Sequence, residues 1–373
     1  MLPLRARHLL SIAAVLAALT VRAWPLSAQP KADAKLAEKL AAVRDAHKVP
    51  AVFGAIIEGE NVVTLAAVGV RKADQKEPVT ADDLIHLGSD TKAMTATVIA
   101  LLVEKKKLKW TSTIGQVLPG LKGKIHADYL DVTVAQLLAH EGGVVPNVDW
   151  WSGPRNQPTR AQRMALLPVI LKDAPVDKPG TKYVYSNASF VVAGAMAEEA
   201  AGAPWEELMT TTLFKPLGMA HAGFGAPGKK GGLDQPWGHK FVADKLDPSQ
   251  GDNAPVLGPA GTVHASLTDW AKFAALHLQG SQGKGKLLKP ESFTQLHTPT
   301  KGFGYSGGWI VGQDGNLAHD GSNTLWYARI RIRPKQNVAV LAATNLGGDE
   351  GRKAVAEAEK VLSQYYRDQF ENK

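Results

Sequence analysis

The 373 residues are 45% apolar and 21% charged, the make-up of an ordinary globular chain with room for one large or two closely packed domains, not of a disordered or fibrous protein. The chain has no cysteine, which excludes thiol catalysis, thiolate metal sites, disulfides and cysteine lipidation together. Its formal charge is +8, but the basic residues are scattered or in short runs such as Lys105-Lys106-Lys107, so no nucleic-acid partner is expected.

Residues 1–28 read as a secretory signal peptide. Arg5 and Arg7 precede the apolar run Leu9 to Val21, and Leu26-Ser27-Ala28 places a small residue before Gln29. The reading predicts a periplasmic or secreted mature chain over 29–373, with the charge falling to +5 as Arg5, Arg7 and Arg22 leave. The run is too short for a comfortable membrane span, so no stable span is expected after cleavage.

Leu36, Leu40 and Val43 predict an amphipathic helix over 32–48, followed by strands Val52 to Ile57 and Val62 to Val70 around a turn at Gly59-Glu60-Asn61. From Ala81 to about Pro299 the signals are mostly helical. The helices expected are Ser89 to Val103, Thr133 to Ala139, Ala188 to Ala201 ending at Gly202, Pro204 to Leu213, and Thr268 to Leu278 ending at Gly280. Ser266 with Asp269 resembles a capping box. Strand signals return at Gly308 to Gly312, Leu317 to His319, Leu325 to Ile332 and Val338 to Thr344, before a closing helix from Gly351 to about Phe370. The pattern predicts an α+β fold: one antiparallel sheet from both chain ends (about 29–80 and 299–373), flanked by terminal helices, with a mainly helical lobe (about 81–298) inserted. A cleft between the lobes is the natural place for a site.

Three short stretches carry chemistry. In Ser89-Asp90-Thr91-Lys92, Met94, Val98, Leu101 and Leu102 follow at the spacing of a helix that buries one face. Ser89 then meets free backbone N–H groups and the positive end of the helix dipole, with Lys92 one turn away on the same side. A helix cap beside a solvated lysine fits the same four residues. Ser281-Gln282-Gly283-Lys284 repeats the spacing, but in a Gly/Lys-rich run with no apolar helix directly after it. Tyr185-Ser186-Asn187 enters the Ala-rich helix, where both flanking side chains can face a substrate; an Asn cap beside a packing Tyr is the alternative. His319-Asp320-Gly321, with Ser322, lies in the C-terminal strands. Its glycine would allow close approach of a substrate, and the following N–H can complete an oxyanion hole with that of Ser89. His-x-Gly also occurs at His86, His140 and His221, so alone it says little.

Ser-x-x-Lys, Tyr-x-Asn and His-x-Gly in this order, with VTVAQLLAHEGG (Val132 to Gly143), PGTKYVYSN (Pro179 to Asn187), FKPLGM (Phe214 to Met219) and GPAGTVHASLTD (Gly258 to Asp269), resemble the penicillin-recognising serine hydrolases. That family holds class C β-lactamases, DD-peptidases and related esterases, and the resemblance covers nearly the whole mature chain. It implies a β-lactamase/transpeptidase-like fold and an acyl-enzyme on Ser89, with Lys92 taking its proton and Tyr185 shuttling protons at the leaving group. Asn187 would bind the substrate and orient Lys92. His319 would stand where many relatives have the Lys of Lys-Thr-Gly, Gly321 would complete that triplet, and the N–H groups of Ser89 and Ser322 would form the oxyanion hole. No metal or organic cofactor is implied, the partner is a small-molecule or peptide substrate, and the oligomeric state stays open.

A free Lys (pKa about 10.4) or Tyr (about 10) must fall by roughly three units, or about 4 kcal/mol, to act as a base near neutral pH. A neutral His319 attracts a β-lactam carboxylate less than a lysine would, and Asp320 opposes it further unless paired with a cation such as Arg329. This shifts weight towards peptidases and esterases. Two other hydrolase patterns fail on context. Gly304-Tyr305-Ser306-Gly307-Gly308 lacks the helix an α/β-hydrolase elbow needs, and His140-Glu141 has no second His at metalloprotease spacing. The non-enzymatic alternative is a catalytically silent relative that binds cell-wall peptides or a protein partner.

Overall fold

The computed structural model describes residues 33–300 and 303–371; the signal peptide read over 1–28 lies outside the described residues. Asp33 caps the first helix, its carboxylate accepting the N–H groups of Lys35 and Leu36, and α1 runs Ala34–His47. Then come β1 (Ala51–Glu58), β2 (Asn61–Gly69) and the Ser89 helix α2 (Thr91–Glu104). Helices α3 (Thr159–Ile170), α4 (Asn187–Ala201) and α5 (Leu267–Ser281) follow. Strands β3 (Tyr305–Ser306), β4 (Trp309–Val311), β5 (Leu317–Ser322), β6 (Tyr327–Arg333) and β7 (Val338–Thr344) lead to α6 (Gly348–Tyr366).

The fold is α+β. The main sheet has the order β2-β1-β7-β6-β5-β4-β3, antiparallel throughout, so the two chain ends meet where β1 pairs with β7. Strand alternation explains why both central strands are apolar on both faces. Val52, Ile56, Val340 and Ala342 face α1 and α6, while Phe53, Ala55, Ile57, Ala339 and Leu341 face α5 and the larger core beyond it. Each fully buried Leu, Ile or Phe among them contributes roughly 2 kcal/mol. On β6 the alternation is amphipathic: Ala328, Ile330 and Ile332 enter the large core, and Arg329 and Arg333 pair with Glu359 of α6.

Several elements differ from the sequence reading. Helix α2 is buried on every face from Thr91 to Leu102, not along one stripe, because other helices and the 258–261 turn enclose it. Helix α5 runs through Gly280 instead of stopping there; a Cβ at that position would lie 2.2 Å from the ring of Phe293, so the glycine serves packing. Ser266 caps α5 by accepting the Asp269 N–H, but Asp269 turns to Lys272 and the His221 N–H, leaving half of a capping box. Helix α3 escapes the pattern because Pro168 stands in its last turn. The hairpin Gly238–Val242/Lys245–Ser249 interrupts the mostly helical stretch. Gly304 to Gly308 forms part of the β3–β4 hairpin, with Ser306 buried and donating to the carbonyl of Gln295, so no nucleophile elbow exists there.

Candidate active site

The strand Ile85–His86 leads into a 3₁₀ turn, Gly88–Asp90, that continues directly into α2. Asp90, not Ser89, occupies the cap position, and it makes no side-chain cap bond; Ser89 is half-buried. Gly88 has φ +50°, and a Cβ on it would lie 2.2 Å from the backbone N of Ser322. A Cβ on Gly321 would lie 1.9 Å from the Leu87 carbonyl oxygen and 2.9 Å from the backbone N of Ser89. Two facing glycines therefore let this turn touch β5, which brings the backbones of Ser89 and Ser322 side by side.

Lys92 is fully buried. Its Nζ lies 3.0 Å from Ser89 Oγ, 2.7 Å from Asn187 Oδ1 and 2.8 Å from the carbonyl of Ala260. Burial disfavours the ammonium and brings the pKa down to about 7, against the opposing pull of Asp90. The last two partners accept only, so a neutral amine spends both N–H groups on them and turns its lone pair to the Ser89 hydroxyl.

Asn187 is the first residue of α4, not its cap; Ser186 caps the helix by accepting the Ser189 N–H. That frees the Asn187 side chain, whose Nδ2 donates to Asn147 Oδ1 at 2.8 Å. Tyr185 is 36% exposed, hydrogen-bonds to Ser89, and carries its ring 4.9 Å from Lys92 Nζ. Desolvation holds its phenol above the ordinary pKa, although the bond to Ser89 works the other way. Of the two basic candidates, only Lys92 is shifted towards neutral pH.

His319 and Asp320 point to opposite faces of β5. Asp320 pairs with Arg329 at 2.7 Å and Arg331 at 3.0 Å on the α6 side. Burial opposes its ionisation, but the bond from Arg329 and the nearby guanidinium charges hold its pKa below the ordinary carboxylate value. His319 is 3% exposed. Its Nδ1 lies 2.8 Å from the Asp320 carbonyl and 3.4 Å from Asp90 Oδ1, and its Nε2 lies 3.0 Å from the Tyr305 hydroxyl. Both ring nitrogens are thus engaged inside the protein. Burial raises the Asp90 carboxyl to about 6, partly offset by His319.

Asp90, Tyr305 and His140 escaped the motif reading as members of the site. His140, at φ +58°, accepts the Ser186 N–H on Nδ1 and packs its ring 4.5 Å from Tyr185 and 4.6 Å from Tyr305. Burial keeps it neutral by lowering its pKa well below the ordinary value. The aromatic spacing Tyr183, Tyr185 and Tyr305 was visible in the sequence, but nothing local joins it to His140. Trp151 is exposed on the loop beyond Asn147 and stacks with Arg155. Among the described residues no cluster of three metal-ligating side chains occurs.

The Beta-lactamase family model matches residues 7–363. The chain belongs to this family. Penicillin-binding protein 4 of Amycolatopsis lactamdurans is 26% identical over 327 residues, covering 83% of this chain and 84% of that protein. Among solved structures, EstCE1, a hydrolase with promiscuous acyltransferase activity, superposes with TM-score 0.71 at 19% identity, over 88% of this chain and 98% of its own. D-alanine carboxypeptidase AmpC from Burkholderia cenocepacia gives 0.69 at 18% identity, over 88% and 97%. These two show a shared fold.

Proposed function

We propose that this family member is an exported serine hydrolase that forms an acyl-enzyme on Ser89 and prefers acyl donors without a carboxylate, esters above all. The observation that carries the reading is the Lys92 amine, buried, brought near neutral pKa and held 3.0 Å from Ser89 Oγ, where its neutral form can accept the hydroxyl proton. Lys92 takes the hydroxyl proton as Oγ attacks the carbonyl carbon. The N–H groups of Ser89 and Ser322 receive the oxyanion. Tyr185, neutral because its pKa is raised, relays a proton to the departing alkoxide, and water then releases the acyl group.

Ester preference follows from His319. With both ring nitrogens engaged and almost no exposure, it offers a substrate carboxylate no free donor. The leader-like composition of residues 1–28 supports export. Intact-protein mass spectrometry and turnover with a p-nitrophenyl ester, a penicillin and a D-alanyl-D-alanine peptide test the whole reading, with Ser89→Ala alongside. Ser89-dependent turnover of the ester, exceeding that of both carboxylate-bearing substrates, is expected. Turnover surviving in Ser89→Ala refutes the nucleophile, and reaction with none of the three favours the silent binding relative.

A further inference from the structure

Two residues before the Ser89 turn, His86 is completely buried on a strand paired with Val263–Ala265. Its Nδ1 accepts the N–H of Gly88 at 3.1 Å, so in the neutral ring the proton sits on Nε2. Nε2 faces Asp252 Oδ1 at 2.9 Å. The same oxygen accepts Nδ2 of Asn323, also at 2.9 Å. Asn323 directly follows Ser322, and its Oδ1 accepts the N–H groups of Leu325 at 3.2 Å and Trp326 at 3.1 Å. These three side chains thus bridge Gly88, one residue before Ser89, to the loop that begins one residue after Ser322.

The two backbone segments so joined need holding. Gly88 has φ +50°, and Thr324, a β-branched residue, has φ +73°, a conformation that persists only where its surroundings impose it. Asn323 is 4% exposed, and no other role in the chemistry above falls to it, His86 or Asp252. An oxyanion hole works through donors set in place before the charge develops, so small changes in their spacing weaken the transition state more than the bound substrate.

We propose that His86, Asp252 and Asn323 form a buried positioning strut that fixes the spacing of the Ser89 and Ser322 N–H donors. This rests on the serine hydrolase reading. Both contacts of Asp252 converge on Oδ1, the hydrogen bond from Asn323 and a close approach of His86 Nε2 that does not meet hydrogen-bond geometry, while Oδ2 has no hydrogen-bond partner. Asp252→Asn can therefore keep the joint, and Asp252→Ala cuts it.

The test is steady-state hydrolysis of a p-nitrophenyl ester by the wild type, Asp252→Ala, Asp252→Asn and Asn323→Ala, with affinity for a phenylboronic acid that adds to Ser89 and a thermal melt of each. In Asp252→Ala, kcat is expected to fall by about tenfold or more with KM within about twofold, and boronate affinity to fall in step with kcat. Asp252→Asn is expected to stay within about threefold of wild type by the same logic. Asn323→Ala cuts the other end of the strut and carries the test if Asp252→Ala does not fold. A variant that melts earlier but keeps its kcat and boronate affinity overturns the proposal, as does Asp252→Asn failing as badly as Asp252→Ala. A wild type without Ser89-dependent turnover overturns the hydrolase reading itself.

Discussion

Replacing Lys92 with Met should stabilise this protein near neutral pH while abolishing its turnover. The amine's pKa falls from 10.5 to about 7 on folding. At about 1.36 kcal/mol per unit, that drop of about 3.5 units corresponds to roughly 5 kcal/mol of disfavoured protonation. Met fills similar volume without it. The substitution also gives up the three Nζ contacts, to Ser89, Asn187 and Ala260, at about 1 kcal/mol each. The net expectation is a gain of roughly 2 kcal/mol at pH 6 to 7. Between about 7 and 10.5 the unfolded chain holds the Lys92 proton and the folded chain does not, so wild-type stability rises with pH across that window. The advantage of Lys92→Met should therefore shrink as pH rises, vanish near about pH 8.3, where the remaining disfavoured protonation equals the roughly 3 kcal/mol of lost contacts, and become a deficit of roughly 2 kcal/mol by pH 10. Urea unfolding of both proteins at pH 6.5, 8.5 and 10 measures it. A difference in stability that does not change with pH would refute the argument.

Three further outcomes follow from the same geometry. Asp90 favours the charged form of Lys92, so Asp90→Asn should move the acid limb of the pH profile of kcat/KM to lower pH; an unmoved or raised limb in stopped-time assays contradicts this. Arg163 is fully buried and bonds both Glu198, itself 0% exposed, and Glu206; Arg163→Leu should cost roughly 3–5 kcal/mol in urea unfolding, and replacing Arg163 and Glu198 together by apolar residues should recover most of it. Gly321→Ala drives a methyl into the Leu87 carbonyl at 1.9 Å, so turnover should fall by more than about tenfold with a lower melting temperature; unchanged kcat would mean that the two backbones need not touch.

How far the sequence speaks can be judged residue by residue. The helix after Ser89 and the one after Tyr185 were legible because Ser and Asn precede long apolar runs, and their polar residues enter the site from the first helical turn, where orientation follows from local geometry. The terminal strands were legible because Val, Ile and Leu alternate or run unbroken between turn residues. The Ser281 copy of the motif was rejected on context, and Ser281 bonds its own helix at the His277 carbonyl.

What only the tertiary structure decided is the electrical state of that site. The Lys92 pKa depends on α2 being enclosed on every side, against the pull of Asp90, and the amine is held by a carbonyl from Ala260, 168 residues away. Whether His319 meets substrate depends on Tyr305 and Asp90, and the direction of Asp320 on its pairing with Arg329 and Arg331 across the sheet. The contact between His86 and Asp252 spans a comparable gap in the chain. Periodicity reports which face of an element is apolar, but a pKa is set by the neighbours that other elements bring, and those exist only once the chain has folded.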